Sequence, residues 1–288
     1  MGDLTEAAGL PLTIQDSGRL SIPPAVGAAR PAVRTLEDMR PYLADPNADG
    51  RGPAELYYMY RDLGPAADRA AYAPFGLRFD ITVLVPGDVA GELVKTAGHY
   101  HPAPEGPGEV SFPEVYGVIR GRAHYLLQDG RVDGPAQAFL VEAGEGEVVV
   151  VPPDFGHVTI NPGPGPLVMA NWVEATFASV YGPYAERRGA CHYEFAGPGG
   201  RGRLEPNPRY PRLVPLRRLT AAEFAALCPQ GRALWRASRL PDPSSGDAPP
   251  PPPQPPRPLY RLGVEDPERL AFLVRPASYD WSGLIGRR

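Results

Sequence analysis

The sequence predicts an all-β fold, a sandwich or barrel with short flanking helices. Two observations predict it. Between Glu55 and Glu174, short runs rich in β-branched and aromatic residues alternate with turn signals at Pro86-Gly87-Asp88, Gly121, Asp129-Gly130, Ala143-Gly144 and Pro162-Gly163-Pro164-Gly165. No helix-period stretch comes between these runs, so a parallel sheet with crossover helices is excluded.

The elements follow in order. Residues 1–30 read as a loose lead-in with one hairpin, Leu10–Gln15 turning at Asp16-Ser17-Gly18. Thr35 and Asp38 stand at capping-box spacing and predict a short helix over Leu36–Leu43. Strands are expected at the aromatic-rich Glu55–Arg61, at the alternating Leu77–Val85, and at Gly91–Lys95, Glu114–Arg120 and Ala123–Gln128. Four more are expected at Gln137–Glu142, Glu147–Val151, His157–Asn161 and Leu167–Glu174.

After about residue 185 the β rhythm fades. Thr220 and Glu223 repeat the capping spacing and predict a helix to Cys228. Residues 241–258 are dominated by proline and read as a polyproline II spacer, about 3.1 Å per residue. Asp266-Pro267 opens a helix running to about Val274, because proline suits the first helical turn. The expected organisation is a lead-in at 1–30, a β domain at 31–200, a helical extension at 201–240, a Pro-rich linker at 241–258 and a tail at 259–288. Leu270, Phe272, Leu273 and Trp281 give that tail an apolar surface to dock.

Charge and cysteine content exclude several functions. With 29 Lys and Arg against 33 Asp and Glu, and no basic run, the chain offers no nucleic-acid surface. Cys191 and Cys228 allow one bridge at most, so no disulfide framework supports the fold. The opening Met1-Gly2-Asp3-Leu4-Thr5-Glu6 lacks the basic and apolar regions of a signal peptide. No apolar run is long enough to span a bilayer. A cytoplasmic, reduced protein with neither nucleic-acid nor membrane partners is expected.

Three of the five histidines fall in one pattern: His99 and His101 in Thr96-Ala97-Gly98-His99-Tyr100-His101, and His157 after Pro152-Pro153. Glu114, in Pro113-Glu114-Val115-Tyr116, adds a carboxylate. Residues two apart on a strand share a face, so His99 and His101 project together, as do Glu114 and Tyr116. Three imidazoles and a carboxylate suit a divalent first-row metal (Fe2+, Mn2+, Ni2+ or Zn2+) with positions left for a substrate. His124 and His192, taken singly, read as hydrogen-bonded core residues. Cys191 and His192 are adjacent and would face opposite ways on a strand, which argues against a thiol–imidazole pair.

The spacing of Gly91, Gly98, His99, His101, Glu114 and Gly121, and of Gly146, Pro152, His157 and Asn161, resembles the two motifs of the cupin superfamily. That resemblance implies a cupin jelly-roll β-barrel, and the Pro-rich C-terminal extension falls outside it. Two departures stand out. The segment Pro102–Pro113 is longer than usual, and Asp154 stands where Gly is common.

The order of Val33-Arg34-Thr35-Leu36-Glu37-Asp38-Met39, Ile81-Thr82-Val83-Leu84-Val85-Pro86-Gly87, the two metal motifs and Val151-Pro152-Pro153 is similar to the cupin-type glucose-6-phosphate isomerases. The likeness covers about residues 30–185. It implies a metal-dependent aldose–ketose isomerase, a homodimer, with Glu114 and Tyr116 in catalysis and His99, His101, Glu114 and His157 on the metal. It also implies phosphate contacts from Tyr57, Thr82, Thr96, the backbone of Gly98 and Tyr181. Ser179 replaces a histidine of the family pattern, and Val173 an aromatic residue. Another metal-dependent cupin enzyme, or a non-catalytic sugar-phosphate binder, is the alternative reading.

Overall fold

Two mainly antiparallel sheets face one another in the computed structural model, which describes residues 1–27, 30–48, 52–130, 135–197, 202–212, 214–239 and 256–285. The larger runs in the order Val148–Val151, Glu114–Arg120, Leu167–Glu174, Leu77–Leu84, Glu55–Tyr60, Ala32–Thr35. The smaller runs Phe155–Ile160, Arg122–Asp129, Ala138–Gly144, Leu216–Thr220. Several neighbours in the sheets are far apart in sequence, such as Leu167–Glu174 beside Leu77–Leu84, as in a jelly roll, and the all-β expectation holds.

All nine expected strands lie within two residues of their sequence positions. The expected Gly91–Lys95 strand shrinks to Glu92–Leu93, and His157–Asn161 begins earlier, at Phe155. From Val94 to His101 the chain is extended but irregular, joined to its neighbours by isolated bridges: Lys95 to Ile160, His99 to His157, Tyr100 to Val180. The helix expected at Leu36–Leu43 is α-helical over Leu36–Met39 and 3-10 over Arg40–Tyr42, with the Thr35–Asp38 capping box formed.

Strand structure continues beyond residue 185, contrary to the sequence reading. His192–Phe195 pairs with Arg203–Pro206, and Leu216–Thr220 adds in parallel to Ala138–Gly144. Exposed Arg217 and Arg218 mask this edge strand's pattern. The Thr220 capping box starts a helix over Ala221–Ala225, and Cys228 caps a further helix over Pro229–Ala237 within the expected helical extension. Most of the expected proline spacer, 241–255, lies outside the described residues. The segment after it forms a helix at Leu259–Glu265 and a 3-10 turn at Pro267–Leu273, where an α-helix was expected.

Both chain ends share the barrel's apolar cluster. Leu4, Leu10 and Leu12 from the lead-in, and Leu259, Tyr260, Leu270 and Phe272 from the tail, are buried with Ile81, Val115 and Trp172. This explains why every residue of Leu167–Glu174 is buried. Inward side chains fill the barrel, and the outward Trp172 is covered by the tail. The Trp172 indole donates to the Leu259 carbonyl at 3.0 Å, and the Tyr260 ring lies parallel to it. Among the described residues no helix is long and apolar enough to cross a membrane.

Candidate active site

His99 and His157 sit on neighbouring segments stitched by two backbone hydrogen bonds, His99 N–H to His157 carbonyl at 3.3 Å and the reverse at 3.1 Å. The bridge brings the two rings to 4.3 Å between centroids, and His101 stands 5.2 Å from each. Glu114 enters from the facing strand. Ligand atoms of His99, His101, Glu114 and His157 all lie within 4.8 Å of one another. The sequence had placed His99 and His101 on a regular strand, and the extended chain aims both rings the same way without one.

Backbone carbonyls orient two of the imidazoles. His99 Nδ1 lies 3.3 Å from the Ala97 oxygen and His101 Nδ1 lies 2.8 Å from the Phe112 oxygen. An Nδ1–H donated to each carbonyl leaves Nε2 with its lone pair free. Nε2 of His101 and Nε2 of His157 stand 3.4 and 3.2 Å from Glu114 Oε2. The other carboxylate oxygen, Oε1, accepts the Asn171 amide at 2.7 Å.

Electrostatics favour a cation here. Burial would raise the Glu114 carboxyl, yet the His101 and His157 imidazoles beside it outweigh that and hold the group well below its ordinary range. Burial holds His99 well below the usual imidazole value, with the neighbouring imidazoles adding to it, and lowers His157 too. These rings are therefore neutral at pH 7, as ligands must be. Glu114 Oε2 and His157 Nδ1 are buried without a hydrogen-bond partner. Orphaned polar atoms at the centre of three imidazoles and a carboxylate fit a divalent ion.

A cavity of about 300 Å³ opens beside the cluster. Tyr57, Thr82, Thr96, His99, His101, Glu114, Tyr116 and Tyr181, all expected from the sequence, line it. The Tyr116 hydroxyl lies 3.2 Å from His157 Nε2, and burial keeps the phenol well above its ordinary value. Gly98 is not among the lining residues. Its missing side chain serves packing instead, since a Cβ there would lie 2.0 Å from the Tyr184 ring. Cys191 and His192 do touch, Sγ to Nδ1 at 3.4 Å, but burial pushes the thiol up to about 12 and neither residue lines the cavity.

The family model for glucose-6-phosphate isomerase (GPI) matches residues 33–208, which include the whole cluster. The chain belongs to the glucose-6-phosphate isomerase family. Curated relatives agree: the glucose-6-phosphate isomerase of Thermococcus litoralis is 32% identical over 55% of this chain and 77% of the relative. That of Thermococcus gammatolerans is 31% identical over 64% and 90%, and that of Pyrococcus furiosus 30% over 56% and 79%.

The cavity wall also holds the departures from the isomerase pattern, Val173 and Ser179, beside Phe177. Phe177 stacks on Phe112 at 5.5 Å and lies 4.4 Å from the His101 ring, closing one side. Three polar lining residues were missed by the sequence reading: Arg61, Arg78 and Asn171. A signal existed for Asn171, the lone amide inside the apolar run Leu167–Glu174. Arg61 and Arg78 carried none, because an arginine at a strand end ordinarily faces water.

Proposed function

We propose that this isomerase-family chain interconverts glucose 6-phosphate and fructose 6-phosphate with one divalent ion held by His99, His101, Glu114 and His157. The observation that carries the reading is the convergence of those four ligand atoms within 4.8 Å at the wall of a cavity. When bound, the ion supplies a Lewis acid that polarises the sugar carbonyl.

The chain's own groups do the rest. The Ala97 and Phe112 carbonyls hold His99 and His101 in one orientation. Asn171 fixes Glu114 through Oε1. Moving hydrogen between C1 and C2 of the open-chain sugar needs a base or a direct transfer between the carbons. Glu114 Oε2 is the carboxylate oxygen left to carry a proton, and the Tyr116 hydroxyl beside it can orient a sugar oxygen. Tyr57, Thr82, Thr96 and Tyr181 supply hydroxyls for the rest of the sugar phosphate.

A coupled assay with fructose 6-phosphate, run before and after chelation and again after return of Fe2+, Mn2+, Ni2+ or Zn2+, tests this. Turnover should vanish on chelation and return with metal. Turnover that survives thorough chelation would sink the metal reading. Running the reaction in D2O separates the two hydrogen routes, because only the proton route brings deuterium to the product carbon.

A further inference from the structure

A second cavity, of about 710 Å³, lies at the end of the barrel away from the metal cluster. The strand Glu114–Arg120 joins the two ends, with Glu114 in the cluster and Arg120 in the wall of the far cavity. Six residue steps along a strand, about 20 Å, separate them. No group of the metal cluster lines this second space.

Its floor is the outer face of the smaller sheet. Ala123 and Tyr125 turn into the barrel, so Arg122 and His124 turn outward, on the side of Leu126 and a second apolar cluster. Glu142 stands opposite His124 in the register, and Arg218 comes from the next strand. The run 162–166, alternating proline and glycine, forms a wall that is already fixed. Asn161 donates its amide to the Val85 and Gly165 carbonyls at 3.1 and 3.0 Å and accepts the Gly163 N–H at 3.0 Å. A wall held in this way needs little ordering when a ligand arrives.

His124 is the group that calls for a ligand. Its side chain is 8% exposed, and Nδ1 lies 2.9 and 3.0 Å from the two oxygens of Glu194, itself 1% exposed. Gly202 covers that carboxylate so closely that a Cβ there would collide with it. The ring is thus fixed and lines the cavity, yet among the described residues no hydrogen bond reaches Nε2. Polar atoms this far from bulk water ordinarily have a partner.

The surrounding charges set the sign of that ligand. Arg218 donates to Glu142 at 2.8 Å, and this bond, with the charges of His124 and Arg122 adding to it, holds Glu142 below its ordinary value. Glu145 accepts the Gly121 N–H at 2.8 Å. Arg120 and Arg122 form no ion pair among the described residues. Outside the His124–Glu194 pair, three arginines therefore face two carboxylates, and one positive charge is left over. A carboxylate meets that surplus at Arg122. A hydroxyl suits Nε2 whichever protonation state the ring has, because it both donates and accepts.

We propose that this cavity is a second small-molecule site that takes a hydroxycarboxylate of the sugar-acid kind, with Arg122 on the carboxylate and His124 Nε2 on a hydroxyl. The site stands apart from the isomerase machinery and does not depend on it.

Calorimetric titration of the metal-loaded full chain with D-gluconate tests the site. A repeat after chelation and removal of the chelator separates it from anything held at the metal cluster. Gluconate should bind in both states. Glucitol, which lacks the carboxylate, and butyrate, which lacks the hydroxyls, should each bind about tenfold more weakly or worse. Arg122→Met should weaken gluconate about ten- to a hundredfold, the loss expected for a charged hydrogen bond. Arg122 is exposed, so this variant keeps the fold. His124→Phe combined with Glu194→Leu leaves no charge buried and should weaken gluconate as well; if that pair fails to fold, Arg122→Met decides alone. His99→Gln should bind gluconate as wild type does. Failure of gluconate to bind wild type, binding confined to the metal-loaded chain, or binding unchanged in Arg122→Met overturns the assignment.

Discussion

Ser111 and Asp154 clasp each other across the mouth of the barrel. The Asp154 N–H donates to the Ser111 hydroxyl at 2.6 Å, and the Ser111 N–H donates to the Asp154 carboxylate at 3.0 Å. Asp154 adopts φ 63°, the left-handed region that glycine enters most easily, which accounts for glycine being common at this point of the motif. Aspartate is tolerated there and gains a partner. The two departures from the cupin pattern, the long Pro102–Pro113 loop and Asp154, are therefore one device. The clasp holds the loop whose Phe112 carbonyl orients His101.

Ser111→Ala should loosen that carbonyl. Loss of one buried hydrogen bond predicts about 1 kcal/mol of lost stability, together with weaker metal binding as His101 gains freedom. Thermal unfolding and competition with a chelator measure the two effects. Metal affinity unchanged beside a lowered melting temperature would restrict the clasp to stability.

Asn171 should matter more to the ion than to the fold. Its amide fixes Glu114 Oε1 at 2.7 Å, leaving Oε2 toward the imidazoles. Asn171→Ala frees the carboxylate to rotate, and loss of such a supporting hydrogen bond typically costs ten- to a hundredfold in metal affinity. Equilibrium competition against a chelator gives the number directly, and equal affinities would assign Glu114's orientation to the histidines alone.

The metal cluster was legible in the sequence because its logic is local. His99 and His101 are two apart, Glu114 opens a strand with clear alternation, and His157 follows a proline turn. Gly98 was legible as a requirement but not for its reason, since the Tyr184 ring that excludes a side chain comes from 86 residues downstream in a helix the sequence did not suggest. Asp80 was invisible for a similar reason. A carboxylate within Leu77–Leu84 reads as the polar face of a strand, whereas in the fold it is buried under two arginines. The late strands were missed because their apolar faces have meaning only against the barrel they cover.

Acid should destabilise the metal-free protein through the same cluster. His99 and His157 have folded values below the ordinary imidazole value of 6.5, with burial the largest cause in each. As pH falls through that value, the unfolded chain takes up protons that the folded chain refuses. The unfolded state then binds more protons, so stability is full above the window and declines below it, by up to about 1.4 kcal/mol per pH unit for each ring. Glu114, also lowered, extends the loss in the same direction below its ordinary value of 4.5. Melting temperatures of chelated protein from pH 8 to pH 5 should fall progressively, and less steeply in His99→Gln. A flat profile would show that the rings are already protonated in the fold.

The tail's contribution can be tested at Gly263. In the helix Leu259–Glu265 this residue lies against the Trp172 indole so closely that a Cβ would stand 2.4 Å from Trp172 Cε2. A rigid ring buried between Tyr72, Phe79 and Tyr260 cannot yield, so Gly263→Ala must push the helix outward. Overpacking of this kind costs about 1–3 kcal/mol, despite the better helix propensity of alanine. The shift would also stretch the Trp172 indole bond to Leu259. Trp172 is neighboured in its strand by Asn171, so the strain has a short path to Glu114. Lower stability with metal affinity unchanged would make the tail a cover for the sheet alone, and a loss of both would make it part of what holds the site in register.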